Sequence, residues 1–357
     1  MRTALISAMC CAALLGLSLA PTSAQASETT KKPVAQKSAA NKPATKASAK
    51  SKAKTNTGAT NTATRSKGTA KKVGTAAAAA AGGGAAVAAQ NPGRLAVHSG
   101  AALVVEQGSE NAYYQKNANA IMPIASITKL MTAMVVLDGV PDLKAPVTIS
   151  EEDVDYLKGS SSRLRVGATM SRETALLLAL MSSENRASHA LARHYPGGMP
   201  AFLAAMNIKA QALGMRDTHF EDPTGLNSHN VSTANDLAKM VAAAHRYPLI
   251  RELSTTPEAI VEINGRDMGF RNTNPLVKNL SWEVGLSKTG YISEAGKCLV
   301  MQARVADKPV VIVLLDSVGK LTRVGDANRI RRWMEYNYAE GKSGTKTALD
   351  LRPGFPG

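Results

Sequence analysis

Cysteine, aromatic residues and acidic side chains are all scarce in this chain. Three cysteines occur in 357 residues, and two of them, Cys10 and Cys11, stand within the first 26. With those 26 removed, Cys298 is alone and an intrachain disulfide is excluded. The folded part must then be held by a sizeable hydrophobic core rather than by covalent staples. Aromatic residues make up 4% of the chain, and none precedes Tyr113. Acidic residues number 27 against 43 Lys and Arg, for a formal net charge of +16. No His-Glu-x-x-His motif is present, and His189 and His194, five residues apart, fall on different faces of a helix. His98, His219, His229 and His245 read as surface or hydrogen-bonded core residues. No metal or cofactor is expected. The apolar run "ALISAMCCAALLGLSLA" is short for a spanning helix.

What is present begins with that run. Arg2, the apolar stretch and the small-residue site Ala24-Gln25-Ala26 make residues 1–26 a cleavable signal peptide. Cys10 and Cys11 lack the small residue expected before a lipidated cysteine, so no lipid anchor is predicted. The mature protein is expected in a bacterial periplasm. Residues 27–93 hold twelve Lys or Arg against one acid, Glu28, in an Ala/Lys/Thr/Ser/Gly background. Such a segment cannot bury enough apolar surface to offset its ordering entropy and is expected to be a disordered basic tether. In isolation it is similar to tails that grip nucleic acid through counterion release. Export removes that partner and leaves anionic wall polymer or lipid headgroups, or a plain solvated spacer. The folded domain is expected over 94–340, with a flexible tail at 341–357.

The domain opens with a strand in "GAALVVEQG" (Gly100 to Gly108) and a hairpin partner in "NAYYQKN". A helix follows from Ser126 to about Leu137, stopped by Gly139 and Pro141, with Ile127, Leu130, Met131 and Met134 at helical spacing. Ser171 caps the next helix. Further helices are predicted in "RASHALARHY", "MPAFLAAMNIKAQALG" and "STANDLAKMVAAAHRY". Three strands, "WEVGLSKTG", "KCLVMQARVA" and "KPVVIVLLDS", are joined by turns short enough to make them antiparallel. "TRVGDANRIRRWMEYNY" closes as a helix. Strands, a helical cluster, strands and a last helix make an α+β domain whose two ends share one sheet.

Ser126 and Lys129 are three residues apart and share a helix face. A serine hydroxyl needs a proton acceptor, and a lysine can serve only if burial or a second cation lowers its pKa. Ile127, Leu130 and Met131 could bury Lys129, and Lys288 could be the second cation. The Ser126 backbone N–H is free to face an oxyanion. Alone, Ser-x-x-Lys is a weak signal, equally satisfied by a cap and a surface lysine. Two more motifs change that: Ser183-Glu184-Asn185 between helices, and Lys288-Thr289-Gly290 on a strand. Ser183 can pass a proton toward a leaving amine, and Asn185 can hold Lys129 or a substrate backbone. Lys288 and Thr289 can hold a carboxylate, Gly290 admits a close backbone, and the Tyr291 N–H is a second oxyanion donor.

These three motifs in this order are those of penicillin-binding proteins and class A β-lactamases. Together with "DPTGLNSHNVS", "FRNTNPLV" and "KTGYISEAGKCLVM", they make residues from about 94 to 340 resemble the low-molecular-weight penicillin-binding proteins, the serine DD-peptidases. Within that family the resemblance is to the endopeptidase branch, the penicillin-binding protein 7 type. The resemblance implies a β-lactamase-like fold with helices against a five-stranded antiparallel sheet. It also implies cleavage of the D-alanyl–diaminopimelyl cross-bridges of peptidoglycan, and β-lactams as covalent inhibitors. Arg323 is similar to a family arginine that steers a terminal carboxylate. Two departures stand out. Class A β-lactamases carry a Glu-x-x-Leu-Asn segment, and none lies between Asn185 and Lys288. The carboxypeptidase relatives carry a further β-rich domain, whereas about seventeen residues follow Glu340 here. Other readings are a D-alanyl-D-alanine carboxypeptidase, a silent wall-binding adaptor, or an anion-binding protein dominated by its basic tether.

Overall fold

The computed structural model describes residues 94–109 and 111–339. The leader, the basic tether and the C-terminal tail read from the sequence lie outside the described residues. Strands β1 (Ala101–Glu106) and β2 (Ala112–Lys116) open the domain as a hairpin. A 3-10 turn, Ala125–Thr128, leads directly into α1 (Lys129–Asp138). Helices α2 (Arg172–Met181), α3 (Asn185–Arg193), α4 (Gly198–Ala212), α5 (Ala234–Ala244) and α6 (Pro248–Thr255) follow. A hairpin of β3 (Glu258–Ile263) and β4 (Arg266–Arg271) precedes β5 (Glu283–Ile292), β6 (Gly296–Val305) and β7 (Lys308–Ser317). Helix α7 (Thr322–Tyr338) ends the described chain.

The main sheet is antiparallel, in the order β2-β1-β7-β6-β5. Its first strand pairs with its last in chain order, Ala101 opposite Leu315 and Glu106 opposite Val310. Side chains alternate across it with the period of two that a pleated strand imposes. Leu103, Val105, Val300, Val311, Val313 and Leu315 pack toward the helical cluster. Ala102, Val104, Leu299, Met301, Ile312 and Leu314 pack with Ala327, Ile330 and Met334 of α7. Both faces are therefore covered, which explains why β7 reads as an unbroken apolar run instead of an alternating one.

Helix α1 is the axis of the helical layer. Every residue from Lys129 to Val136 is buried, as expected for a helix apolar all round. Helix α2 starts where its cap predicts, with Ser171 Oγ accepting from the Thr174 N–H at 3.1 Å. Thr233 caps α5 in the same way, accepting from Asp236 N–H. Two of the elements named above escaped the sequence reading. Helix α6 is short, with Pro248 at its first turn. The β3–β4 hairpin turns on Asn264-Gly265, whose φ values of 52° and 71° are those of a type I′ turn. Asn-Gly between two apolar-alternating runs was the signal for it.

Candidate active site

The 3-10 turn sets the key pair. At three residues per turn, positions i and i+3 eclipse, so Lys129 stands directly over Ser126. Its Nζ lies 2.9 Å from Ser126 Oγ. The same Nζ donates to Asn185 Oδ1 at 2.8 Å and to the Thr224 carbonyl at 2.6 Å. Lys129 has no exposed surface, and burial lowers its pKa to about 7, against the opposing pull of the Asp222 and Glu184 carboxylates. A neutral amine has two hydrogens and one lone pair. Two of its three partners are carbonyl oxygens that can only accept, so they take both hydrogens. The lone pair is then left facing the Ser126 hydroxyl. That is the geometry of a proton acceptor for Ser126.

Lys288 is the second buried ammonium, 1% exposed. Its pKa is held well below the usual lysine range by burial first, then by the charges of Lys129 and Arg323. The sequence reading gave Lys288 a share in lowering Lys129. In the structure burial is the leading cause for both lysines. Lys288 donates to Ser183 Oγ at 2.8 Å and to the Thr289 carbonyl at 2.9 Å. Ser183 is thus bonded to Lys288 rather than to Lys129, and its own hydrogen is free to turn into the cleft. Its φ of 62° is left-handed, a strained conformation for a serine.

Two glycines pinch the nucleophile turn. A Cβ on Gly225 (φ 81°) would sit 1.9 Å from the Ala125 carbonyl oxygen. A Cβ on Gly290 would lie 2.9 Å from the Ile124 carbonyl and 3.1 Å from the Ser126 nitrogen. Gly290 therefore admits the Ser126 turn itself, a different reason for glycine than the substrate approach expected from sequence. Strand β5 ends the sheet, so its outer backbone edge is open beside Ser126.

The loop behind the turn is a fixed wall. Asp222 accepts from the Gly225 and Asn227 N–H groups, both at 2.7 Å, and from Thr224. The Pro223 carbonyl accepts from Thr132 of α1 and Ser188 of α3. In the sequence this Asp-Pro-Thr-Gly segment reads as a structural turn or as one lining the cleft, and in the structure it supplies a direct partner of Lys129. Ser160, one of three consecutive serines that the sequence places either at the border of the cleft or in a plain loop, accepts from Asn185 Nδ2 at 2.9 Å.

These groups line a cleft of about 520 Å³ that holds Ser126, Ser160, Ser183, Asn185, Thr289, Gly290, Tyr291 and Arg323. Thr289 Oγ1 donates to Thr273 Oγ1 at 2.6 Å. Arg323 donates to the carbonyls of Gly290 and Cys298, at 3.0 and 3.1 Å, and so braces the end of β5. The Tyr291 ring is 59% exposed and lies under the Lys297 ammonium at 3.8 Å. Lys158 and Glu294 form an ion pair at the cleft mouth. Cys298 is fully buried and its thiol pKa is pushed up to about 11 by desolvation, the state of an inert small hydrophobe. His189 is bound to Asp153 at 2.7 Å beside Arg193. No group of residues able to hold a metal ion is found among the described residues.

A hydroxyl facing a buried amine of lowered pKa, between a helical cluster and the open edge of an antiparallel sheet, marks an active-serine hydrolase. The chain belongs to the D-alanyl-D-alanine carboxypeptidase family of serine peptidases, whose family model matches residues 85–319. It is 51% identical over 239 residues to a D-alanyl-D-alanine endopeptidase of Pseudomonas aeruginosa, covering 66% of this chain and 77% of that protein. It is 47% identical over 241 residues to the D-alanyl-D-alanine endopeptidase of Escherichia coli, covering 67% and 78%. Among solved structures it is similar to a Streptomyces DD-transpeptidase, with a TM-score of 0.63 at 30% identity over 67% of this chain and 97% of that one. A D-alanyl-D-alanine carboxypeptidase of Mycobacterium tuberculosis matches with a TM-score of 0.60 at 26% identity, covering 67% and 91%. Among the described residues no helix is long and apolar enough to cross a membrane.

Proposed function

We propose that this protein is a serine DD-endopeptidase that hydrolyses D-alanyl–diaminopimelyl cross-links of peptidoglycan in the periplasm, and that β-lactams acylate it. The observation that carries the reading is the Lys129 amine, buried and held by two carbonyls with its lone pair toward Ser126. The named endopeptidase relatives favour cross-link cleavage over trimming of single stems.

In the proposed reaction Ser126 Oγ bonds to the D-alanyl carbonyl carbon while its proton passes to Lys129 Nζ. The oxyanion lies between the backbone N–H groups of Ser126 and Tyr291, brought together by the Gly290 approach. The C–N bond then breaks as the proton held on Lys129 Nζ is relayed by the Ser183 hydroxyl, whose oxygen is fixed by Lys288, to the leaving amine. Water then bonds to the acyl carbon as Lys129 Nζ takes its proton, and that proton returns to Ser126 Oγ as the ester bond breaks. Asn185 keeps Lys129 in register. Thr289 and the Arg323-braced end of β5 receive the substrate's backbone and carboxylate, with Lys288 buried behind them and holding Ser183.

Digestion of purified cross-linked dimeric muropeptides tests the reading. Release of monomers is expected. Release of free D-alanine from pentapeptides without cleavage of dimers would make the protein a carboxypeptidase. Inertness toward both, with no penicillin adduct, would leave the silent adaptor.

The rate of acylation should also depend on pH in a definite sense. Only the uncharged Lys129 accepts a proton, and its pKa is lowered to about 7. The second-order rate constant for penicillin should therefore rise as pH increases through about 7, then level off. An unperturbed lysine would give rates still climbing at about pH 9. Stopped-flow acylation across that range distinguishes the two.

A further inference from the structure

A second groove, of about 680 Å³, lies beside the cleft and has no part in the chemistry above. One wall is the segment that carries Ser162, Arg163 and Arg165. The other is the β3–β4 hairpin, with Asn264, Arg266, Asp267 and Met268. The walls are clasped at both ends. Asn264 accepts from the Thr169 N–H at 2.9 Å and donates to the Gly167 carbonyl at 3.1 Å. Arg163 donates to the Gly269 carbonyl at 2.6 Å and stacks 3.7 Å over the Phe270 ring. The groove is thus held open by the protein's own contacts.

Its charge is only partly compensated: Arg163 lies 3.8 Å from the Glu184 carboxylate, and the other two arginines of the lining have no such partner. Among the described residues the guanidinium groups of Arg165 and Arg266 are in no ion pair or hydrogen bond. Asp267 is the one carboxylate in the lining, against three arginines. Two exposed guanidinium forks on facing walls offer paired N–H donors suited to a carboxylate. The groove also adjoins the catalytic cleft. Ser160 lines the cleft and Ser162 the groove, and Ser162 Oγ donates at 2.6 Å to Glu184, between Ser183 and Asn185.

We infer that Arg165 and Arg266 form an accessory subsite for a carboxylate of a peptidoglycan stem peptide, holding one stem while its cross-linked partner is at Ser126. The inference rests on the proposed function for the identity of the ligand. A cross-linked substrate carries two stems, and a cleft that acylates one must accommodate the other nearby. Free carboxylates on the stem supply the charge that the groove lacks.

The test is an anisotropy titration of the full chain, its cleft blocked with benzylpenicillin, using fluorophore-labelled L-alanyl-γ-D-glutamyl-diaminopimelate. The blocked wild type should bind this probe about tenfold more tightly than R165A/R266A, and the probe with its carboxyls amidated should bind the wild type as weakly as the double variant binds the free acid. Both arginines are exposed and unpaired, so the variant should keep its melting temperature and its penicillin acylation rate. Equal affinities for wild type and double variant overturn the inference. Displacement of the probe by inorganic phosphate at far lower concentration than by acetate would assign the groove to a phosphate ligand and overturn it as well. Mass spectrometry reports acylation separately: no adduct sinks the proposed function, while the affinity comparison is still read on the unblocked protein.

Discussion

Ser126→Ala is expected to lose fluorescent-penicillin labelling entirely and to cut dimeric muropeptides at least about ten-thousand-fold more slowly than the wild type, a loss of about 5 kcal/mol of transition-state stabilisation. Ser126 is partly exposed in the cleft, and Lys129 Nζ has no other hydroxyl partner. Removing Oγ leaves the amine with its two carbonyl acceptors and nothing to activate. The fold should survive, because Ser126 Oγ makes no structural bond beyond Lys129. An unchanged melting curve with no adduct is thus the expected pair of results. A penicillin adduct on Ser126→Ala, located elsewhere by peptide mapping, would remove Ser126 from the mechanism.

Gly225→Ala should be nearly as damaging by a different route. The added methyl would lie 1.9 Å from the Ala125 carbonyl oxygen and 2.8 Å from the Ser126 nitrogen, at a backbone φ of 81°. Both obstacles are backbone, so no side-chain rotation relieves them. Alanine also resists that φ. The Asp222 bonds to the Gly225 and Asn227 N–H groups oppose any shift of the loop. A loss of more than about 3 kcal/mol in urea unfolding is expected, together with slower acylation, since the loop's Thr224 carbonyl is also a Lys129 partner. Wild-type stability and wild-type acylation in this variant would show that the loop is not a rigid wall behind Ser126.

The fold was legible where patterning was strong and both partners lay on the page. Helix α7 and strand β7 coincide with the segments read from sequence, because a seventeen-residue run free of proline and an unbroken six-residue apolar stretch, Val310 to Leu315, leave little ambiguity. Helix α6 was missed because eight residues starting at a proline give barely two turns of periodicity. The hairpin at Asn264-Gly265 was missed although its turn signal is strong. In the site, side-chain motifs were readable and backbone roles were not. Ser126, Lys129, Ser183, Asn185, Lys288 and Thr289 announce themselves by residue type and spacing. The Thr224 carbonyl does not, since every residue carries one. The same limit hid why Gly225 and Gly290 must be glycine, which depends on a turn 100 residues earlier in one case and about 165 in the other. The Ser183–Lys288 bond likewise depends on how two distant segments dock.

Strand β1 waits for β7. Its neighbour on the inner side begins about two hundred residues later in the chain, so the centre of the sheet cannot close until nearly all of the protein has been synthesised. A nascent chain released from the ribosome up to α5 already owns Ser126, Lys129 and Ser183 but lacks the platform that orients them. Hydrolytic power should therefore switch on only at completion, and fragments ending before residue 308 should be inert, leaving unfinished copies harmless to the wall.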